Sequence, residues 1–259
     1  MFQSQNKSLL PLLFMVFLLL CCLSLFLKEP VLSVFGYGKG IDSSHYPTIV
    51  LDPGHGGQDP GKVSEQGTLE KDINLSIALK VKQLLASQPV KVILTRDSDV
   101  DLSTTDSGHK MSDLKNRIDL ITEHSPLLTV SIHQNSYPDP SVIGAQCFYL
   151  QGSEEGRQLA QLLQTQIVAS TNQTKIREIK DNESYYLLKN SPVTTAIVEC
   201  GFLSSPQEEA LLLTEEYQDK MAWAIHLGTI QTKCFPSSAG STIFSPVLYF
   251  LLLSVNAIA

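Results

Sequence analysis

Apolar residues along the middle of the chain follow two alternating patterns. Short, mostly apolar runs at Thr48–Leu51, Val90–Leu94, Leu127–His133, Gln146–Leu150 and Thr195–Glu199 read as buried strands. Between them, apolar positions recur at three- and four-residue spacing. Leu69, Ile73, Ile77, Val81, Leu84 and Leu85 form such a stripe and stop before Pro89, which predicts an amphipathic helix. Further helices are predicted over Ser112–Glu123, over Ser153–Ala169, from Pro206 for a short stretch, and over Glu215–Ile230. Ser205-Pro206-Gln207-Glu208 combines an N-cap serine, proline at the first helical position and a capping-box glutamate. Strands alternating with helices predict a single α/β domain with a mostly parallel, twisted sheet. The polar stretch Ser98–Lys110 reads as a surface loop placed to flank a site.

The two ends have a different texture. Leu9–Leu27 is nineteen residues without a charge, preceded by Lys7 and followed by Lys28. At about 1.5 Å per residue this run just spans a hydrocarbon core of about 30 Å. It is expected to be a signal anchor or a signal peptide, and the lack of an Ala-x-Ala-like exit favours the anchor. After Lys233 no charged side chain remains, and the chain finishes in an apolar stretch from Ile243 to Leu253 broken by Ser245 and Pro246. The expected layout is a flank over 1–8, the anchor or signal over 9–27, a linker over 28–46, a catalytic domain over 47–231 and an uncharged tail over 232–259. The domain is thereby expected outside the cytoplasm, held at the membrane or secreted to the cell wall.

A net charge of −7 without a Lys/Arg cluster argues against nucleic acid. Five cysteines give no disulfide framework, and Cys147 and Cys200 are expected to be buried thiols in strands. Strand alternation sends Cys200 to the face opposite Glu199, so it is not expected to join a site there.

Placing the polar residues on these elements brings out the chemistry. His55 follows the first strand, His133 closes the third and Glu199 closes the fifth. Glu70 opens the first helix, off its apolar stripe, with Asn74 one turn along the same face. All four fall at the carboxyl edge of the sheet, where α/β proteins bind ligands. Two imidazoles and one carboxylate can hold one Zn2+ and leave a position open, while a further carboxylate moves a proton. Glu199 is the candidate general base, since a carboxylate ending an apolar run is costly without a partner. His109, His124 and His226 are expected to be surface positions. Gly56 to Lys62 fits G-x-x-x-x-G-K, but Val63 replaces the Ser or Thr that a phosphate loop needs for its metal, so the glycines are read as a tight turn around His55.

Five stretches together resemble the zinc-dependent N-acetylmuramoyl-L-alanine amidases: Ile49 to Asp59, Glu70-Lys71-Asp72-Ile73-Asn74-Leu75, Leu94-Thr95-Arg96, Ser131 to Asn135, and Val198-Glu199-Cys200-Gly201-Phe202-Leu203. The resemblance covers Thr48 to Ile230. It implies a single α/β domain with a mixed sheet flanked by helices, zinc on His55, Glu70 and His133, Glu199 as the catalytic residue, and cleavage of the amide between the lactyl group of N-acetylmuramic acid and L-alanine of peptidoglycan. Leu188-Lys189-Asn190-Ser191-Pro192 is most similar to the amidases that prepare spore-cortex peptidoglycan for muramic-lactam formation. Thr122 and Gln134 depart from the residues common in that family, which would affect substrate contacts. Two alternatives stand beside this reading. A zinc carboxypeptidase on peptidoglycan peptides would need a basic clamp such as Arg96 or Arg117, and an inactive wall-binding module would be expected to have lost a ligand. No protein partner is named by the sequence.

Overall fold

The computed structural model describes residues 46–105 and 109–232. The expected anchor or signal over 9–27 and the apolar tail beyond 232 lie outside the described residues. Among the described residues no helix is long and apolar enough to cross a membrane.

The sheet has six strands: β1 (Thr48–Pro53), β2 (Lys91–Leu94), β3 (Leu128–Asn135), β4 (Gln146–Leu150), β5 (Lys180–Asn182) and β6 (Thr194–Phe202), in the order β2-β1-β3-β6-β4-β5. β2, β1, β3 and β6 run parallel, and β4 turns antiparallel to β6 and carries β5 parallel to itself. The mostly parallel sheet is thus the one the periodicity predicts, and its mixed character is the one the resemblance implies. β5 and the short helix α4 (Tyr186–Asn190) are the additions. Lys-Asp-Asn has no apolar alternation, and β5 forms by backbone pairing with Phe148, Tyr149 and Leu150 at the sheet edge.

Helices cover both faces. On one face α1 (Glu70–Leu85), α3 (Glu154–Thr171) and α6 (Glu215–Ile230) enclose the main core, in which Ile49, Leu51, Val130, Ile132, Val198 and Cys200 meet Ile77, Val81, Leu163 and Ile225. Each such side chain, taken fully out of water, contributes about 1.5–3 kcal/mol. α3 and α6 approach so closely that a Cβ on Gly228 would fall 2.8 Å from the Cα of Leu163. On the other face α2 (His109–His124) and α4 cover smaller clusters around Val50, Ile121 and Leu187 and around Phe148, Leu188 and Ile197. α3 is capped by Ser153, which accepts from Gly156 N–H, and ends at Asn172 in the left-handed region.

Two expectations need correction. His226 is not on the surface: α6 is wedged among buried neighbours, and His226 is 3% exposed, stacked on Trp223 with its ring centroid 5.4 Å away. The capping box at α5 (Pro206–Leu212) also does not form, since the Ser205 side chain makes no cap bond. Glu208 instead accepts from Phe202 N–H at 2.7 Å and Gly144 N–H at 2.9 Å. Those buried donors have a stronger claim on a carboxylate than a helix end has. Next to it, Glu209 accepts from the hydroxyls of Ser64 and Thr68, both at 2.6 Å.

Candidate metal centre and active site

Strand alternation sets up the site. Asp52, Ser131, His133, Ile197 and Glu199 fall on the face covered by α2 and α4, with His133 and Glu199 as register partners on adjacent parallel strands. Just beyond this pair β6 has one residue more than β3 before Asn135 meets Phe202, a bulge that shifts the ladder beside Glu199. Gln146 of β4 pairs with Glu199 from the other side.

Beneath the site lies a buried ionic support. Arg117 of α2, 1% exposed, donates to Asp52 at 2.7 Å, Asp113 at 2.7 Å, and the carbonyls of Pro53 at 2.9 Å and His55 at 2.7 Å. Asp52 also accepts from Thr95 and Ser131 hydroxyls at 2.7 Å each. Burial pushes the Asp52 pKa up, but Arg117 and these hydroxyls outweigh it and bring the value down to about 2. Arg96 is buried too, donating to the carbonyls of Pro53, Gly54, Lys71 and Ser98. Neither arginine is placed to clamp a substrate carboxylate, which removes the feature that the carboxypeptidase reading relied on. The two residues shape the backbone around His55 instead.

Three of the four sequence-predicted side chains converge. His55 Nε2 lies 3.3 Å from Glu70 Oε1, and His133 Nδ1 lies 3.0 Å from the same oxygen. The two rings meet edge to face at 5.0 Å. Ligand atoms of His55, Glu70 and His133 all fall within 4.8 Å of one another. Glu70 is held in place from several directions: Lys62 N–H at 2.7 Å on Oε2, and Gln134 N–H at 3.0 Å and the Asn74 amide at 3.3 Å on Oε1. Burial acts to raise the pKa of Glu70, but His133 and His55 hold it well below the ordinary carboxylate range. His55 experiences the converse: burial lowers its pKa, while Asp59 and Glu70 raise it to about 9. Two imidazole nitrogens and one carboxylate oxygen aimed at one point fit a zinc-type donor set with a position left open.

Glu199 stands apart from this cluster. It is 7% exposed, and its Oε2 has no hydrogen-bond partner among the described residues. Burial raises its pKa to about 7, with His133 and His55 opposing and Glu70 reinforcing the rise. A carboxylate in this state can bind or release a proton near neutrality.

Asp59 and Tyr185 were not given roles from the sequence. Asp59 accepts from His55 Nδ1 at 2.8 Å, and its signal was the four-residue spacing from His55 around a Gly-Gly turn. Tyr185 packs on Phe148 at 5.5 Å, and burial, with the charges of Glu199 and Glu70, raises its pKa. Gln134 is 3% exposed and donates to Asn74, so it supports Glu70 from within and is not a substrate contact. The loop after Ser98 does flank the site: Asp99 accepts from Gly57 N–H and Lys71, Asp101 accepts from Gln58 N–H, and His109 pairs with Asp101.

Comparison with known proteins bears on the same segment of chain. Residues 49–231 match the family described as N-acetylmuramoyl-L-alanine amidase. The germination-specific N-acetylmuramoyl-L-alanine amidase of Bacillus subtilis (strain 168) is 38% identical over 187 residues, covering 71% of this chain and 78% of that protein. Among solved structures, the CwlD amidase of Clostridioides difficile, determined in complex with the GerS lipoprotein, is 39% identical with a TM-score of 0.68 over 71% of this chain and 96% of its own. An N-acetylmuramoyl-L-alanine amidase from Clostridium difficile 630 is 33% identical with a TM-score of 0.65, covering 71% of this chain and 95% of its own.

Proposed function

The chain belongs to the N-acetylmuramoyl-L-alanine amidase family, and from that membership we propose the roles of its individual residues. It is a peptidoglycan hydrolase that cleaves the amide between the lactyl group of N-acetylmuramic acid and L-alanine of the stem peptide. In our reading His55 through Nε2, His133 through Nδ1 and Glu70 through Oε1 hold one Zn2+. When bound, zinc polarises a carbonyl oxygen and lowers the pKa of a water toward about 7. Glu199 takes the proton of the attacking water and delivers it to the departing amine of L-alanine, so the stem peptide leaves with a free amino terminus. The bonds from Lys62, Gln134 and Asn74 keep Glu70 from swinging away as charge shifts at the site.

The observation that carries this assignment is the convergence of three ligand atoms beside a buried carboxylate with one unpartnered oxygen. Peptidoglycan lies outside the cytoplasm, so the domain acts there, and we read residues 9–27 as the export element and anchor. The likeness to a germination-specific amidase supports work on spore cortex, where removal of the peptide leaves the free lactyl carboxyl that a muramic lactam requires. Mass spectrometry of muropeptides after digestion tests the assignment. Intact stem peptides and bare muramic acid are expected, whereas release of D-alanine from uncut stems would overturn it.

A further inference from the structure

The turn after β1 doubles back on itself. His55 has a φ of 61°, Gly56 of 135° and Gly57 of 54°. Gly56 and Asp59 exchange both backbone hydrogen bonds at 3.0 Å, which closes a two-residue turn over Gly57-Gln58. Neither glycine tolerates a side chain: a Cβ on Gly56 would fall 2.2 Å from the carbonyl of Val100, and one on Gly57 would fall 2.2 Å from the Asp101 carboxylate. The turn therefore has one way to close, and that way returns Asp59 to the side of the imidazole it left four residues earlier.

Asp59 is itself fixed. Its Oδ1 accepts from Gly61 N–H at 3.0 Å, and its Oδ2 lies 2.8 Å from His55 Nδ1. An ionised carboxylate can only accept, so the hydrogen on that contact belongs to Nδ1. In the neutral ring that would bind a metal, the lone pair of His55 is then on Nε2, the nitrogen 3.3 Å from Glu70 Oε1. His133 is arranged the other way round, with Nδ1 facing Glu70 at 3.0 Å. The two histidines thus present different ring nitrogens to one point. For His55 alone, the choice is enforced by a side chain from its own turn.

We infer that Asp59 is a positioning residue for the metal centre: it locks His55 as the Nδ1–H tautomer and commits Nε2 to the ion. This rests on the zinc assignment made above. An imidazole free to rotate or to change tautomer would lose both orientation and basicity as a ligand, and removing such a partner lowers metal affinity by about 10–100-fold. Asn at this position is the informative substitution. If its carbonyl keeps the bond from Gly61, its amide faces Nδ1 as a donor and demands the opposite tautomer. If it turns round to serve His55, Gly61 N–H is left unpaired.

The test uses the purified full chain, with zinc affinity measured by chelator competition and the imidazoles followed by long-range proton–nitrogen NMR on histidine-labelled protein, where six histidines keep the spectrum simple. The zinc-loaded wild type is expected to show His55 with hydrogen on Nδ1 and metal on Nε2. Asp59→Ala and Asp59→Asn are each expected to lose at least about tenfold in zinc affinity, with the metal-free fold kept by circular dichroism. Wild-type His55 bound through Nδ1 would overturn the assignment without need of any variant. Zinc bound by wild type and by both variants within about twofold would overturn the role of Asp59 while leaving the metal centre standing. Wild type that takes up no zinc would overturn both.

Discussion

Gly54 lies flat against the imidazole of His133: a Cβ on Gly54 would fall 2.1 Å from Cε1 and 2.3 Å from Nε2. The ring is held at Nδ1 by Glu70 Oε1, 3.0 Å away, so a shift of the ring would break that contact. Gly54 has an ordinary backbone conformation, so what its lack of a side chain provides is space. Gly54→Ala is expected to push His133 off the site, costing about 1–3 kcal/mol in the folded protein. Zinc content by atomic absorption should fall together with activity.

Removal of a ligand and removal of the proton carrier should be separable. His55→Ala, Glu70→Ala and His133→Ala each leave two protein ligands and are expected to lose zinc and activity together. Glu199→Gln should lose turnover on peptidoglycan with zinc retained. It should also change stability in a pH-dependent way. The pKa of Glu199 is about 7 in the folded protein against an ordinary value of 4.5, so stability falls as pH rises from 4.5 through 7 and the buried carboxyl ionises. In the metal-free protein Glu199→Gln escapes that cost and should be the more stable form above pH 7, by on the order of 3 kcal/mol. Thermal melts of the two metal-free proteins at several pH values check this, and curves that stay parallel would contradict it.

The Asp52–Arg117 pair predicts an acid limb of its own. With a folded pKa of about 2 against an ordinary 3.8, Asp52 contributes stability that is fully present above pH 3.8 and is lost as pH falls toward 2. Asp52→Asn is expected to remove this limb and to destabilise the protein at neutral pH by about 1–3 kcal/mol, because buried Arg117 would keep only Asp113 as a carboxylate partner. Urea unfolding at pH 7 and at pH 3 measures both effects.

His226 should contribute in a milder acid range, with a sign opposite to that of Glu199. Burial alone lowers its pKa to about 4 from an ordinary 6.5, so the neutral ring contributes stability above pH 6.5 that is lost as pH falls toward 4. Its Nδ1 has no hydrogen-bond partner among the described residues. His226→Leu should flatten the stability curve between pH 6.5 and 4, and the melting temperature at pH 5 should rise relative to wild type.

What could be read from the sequence was what repeats or what is chemically rare. The alternation of apolar runs and stripes was enough for the sheet and its main helices, because burial of one face imposes those periods. The four polar residues could be picked out because each falls at or just beyond an end of a predicted strand or helix. β5 escaped because three polar residues at an edge are held by backbone bonds that leave no side-chain signal. His226 escaped because the pattern of α6 cannot say that α1 and α3 enclose it on several sides. The Ser205–Glu208 signature misled for a related reason. A local motif predicts local bonds, and tertiary packing offered Glu208 better ones. Asp59 was visible in the sequence, but its value depends on how the glycine turn closes.

Glu208 and Glu209 reach from one seven-residue helix to two separate segments of chain, one to Gly144 and Phe202 and the other to Ser64 and Thr68. The two segments therefore share a hub. Segments fastened separately can open one at a time, whereas segments fastened to a common short helix loosen together. Amide exchange at Gly144 and Phe202 should thus slow and quicken in step with exchange in the 64–68 turn.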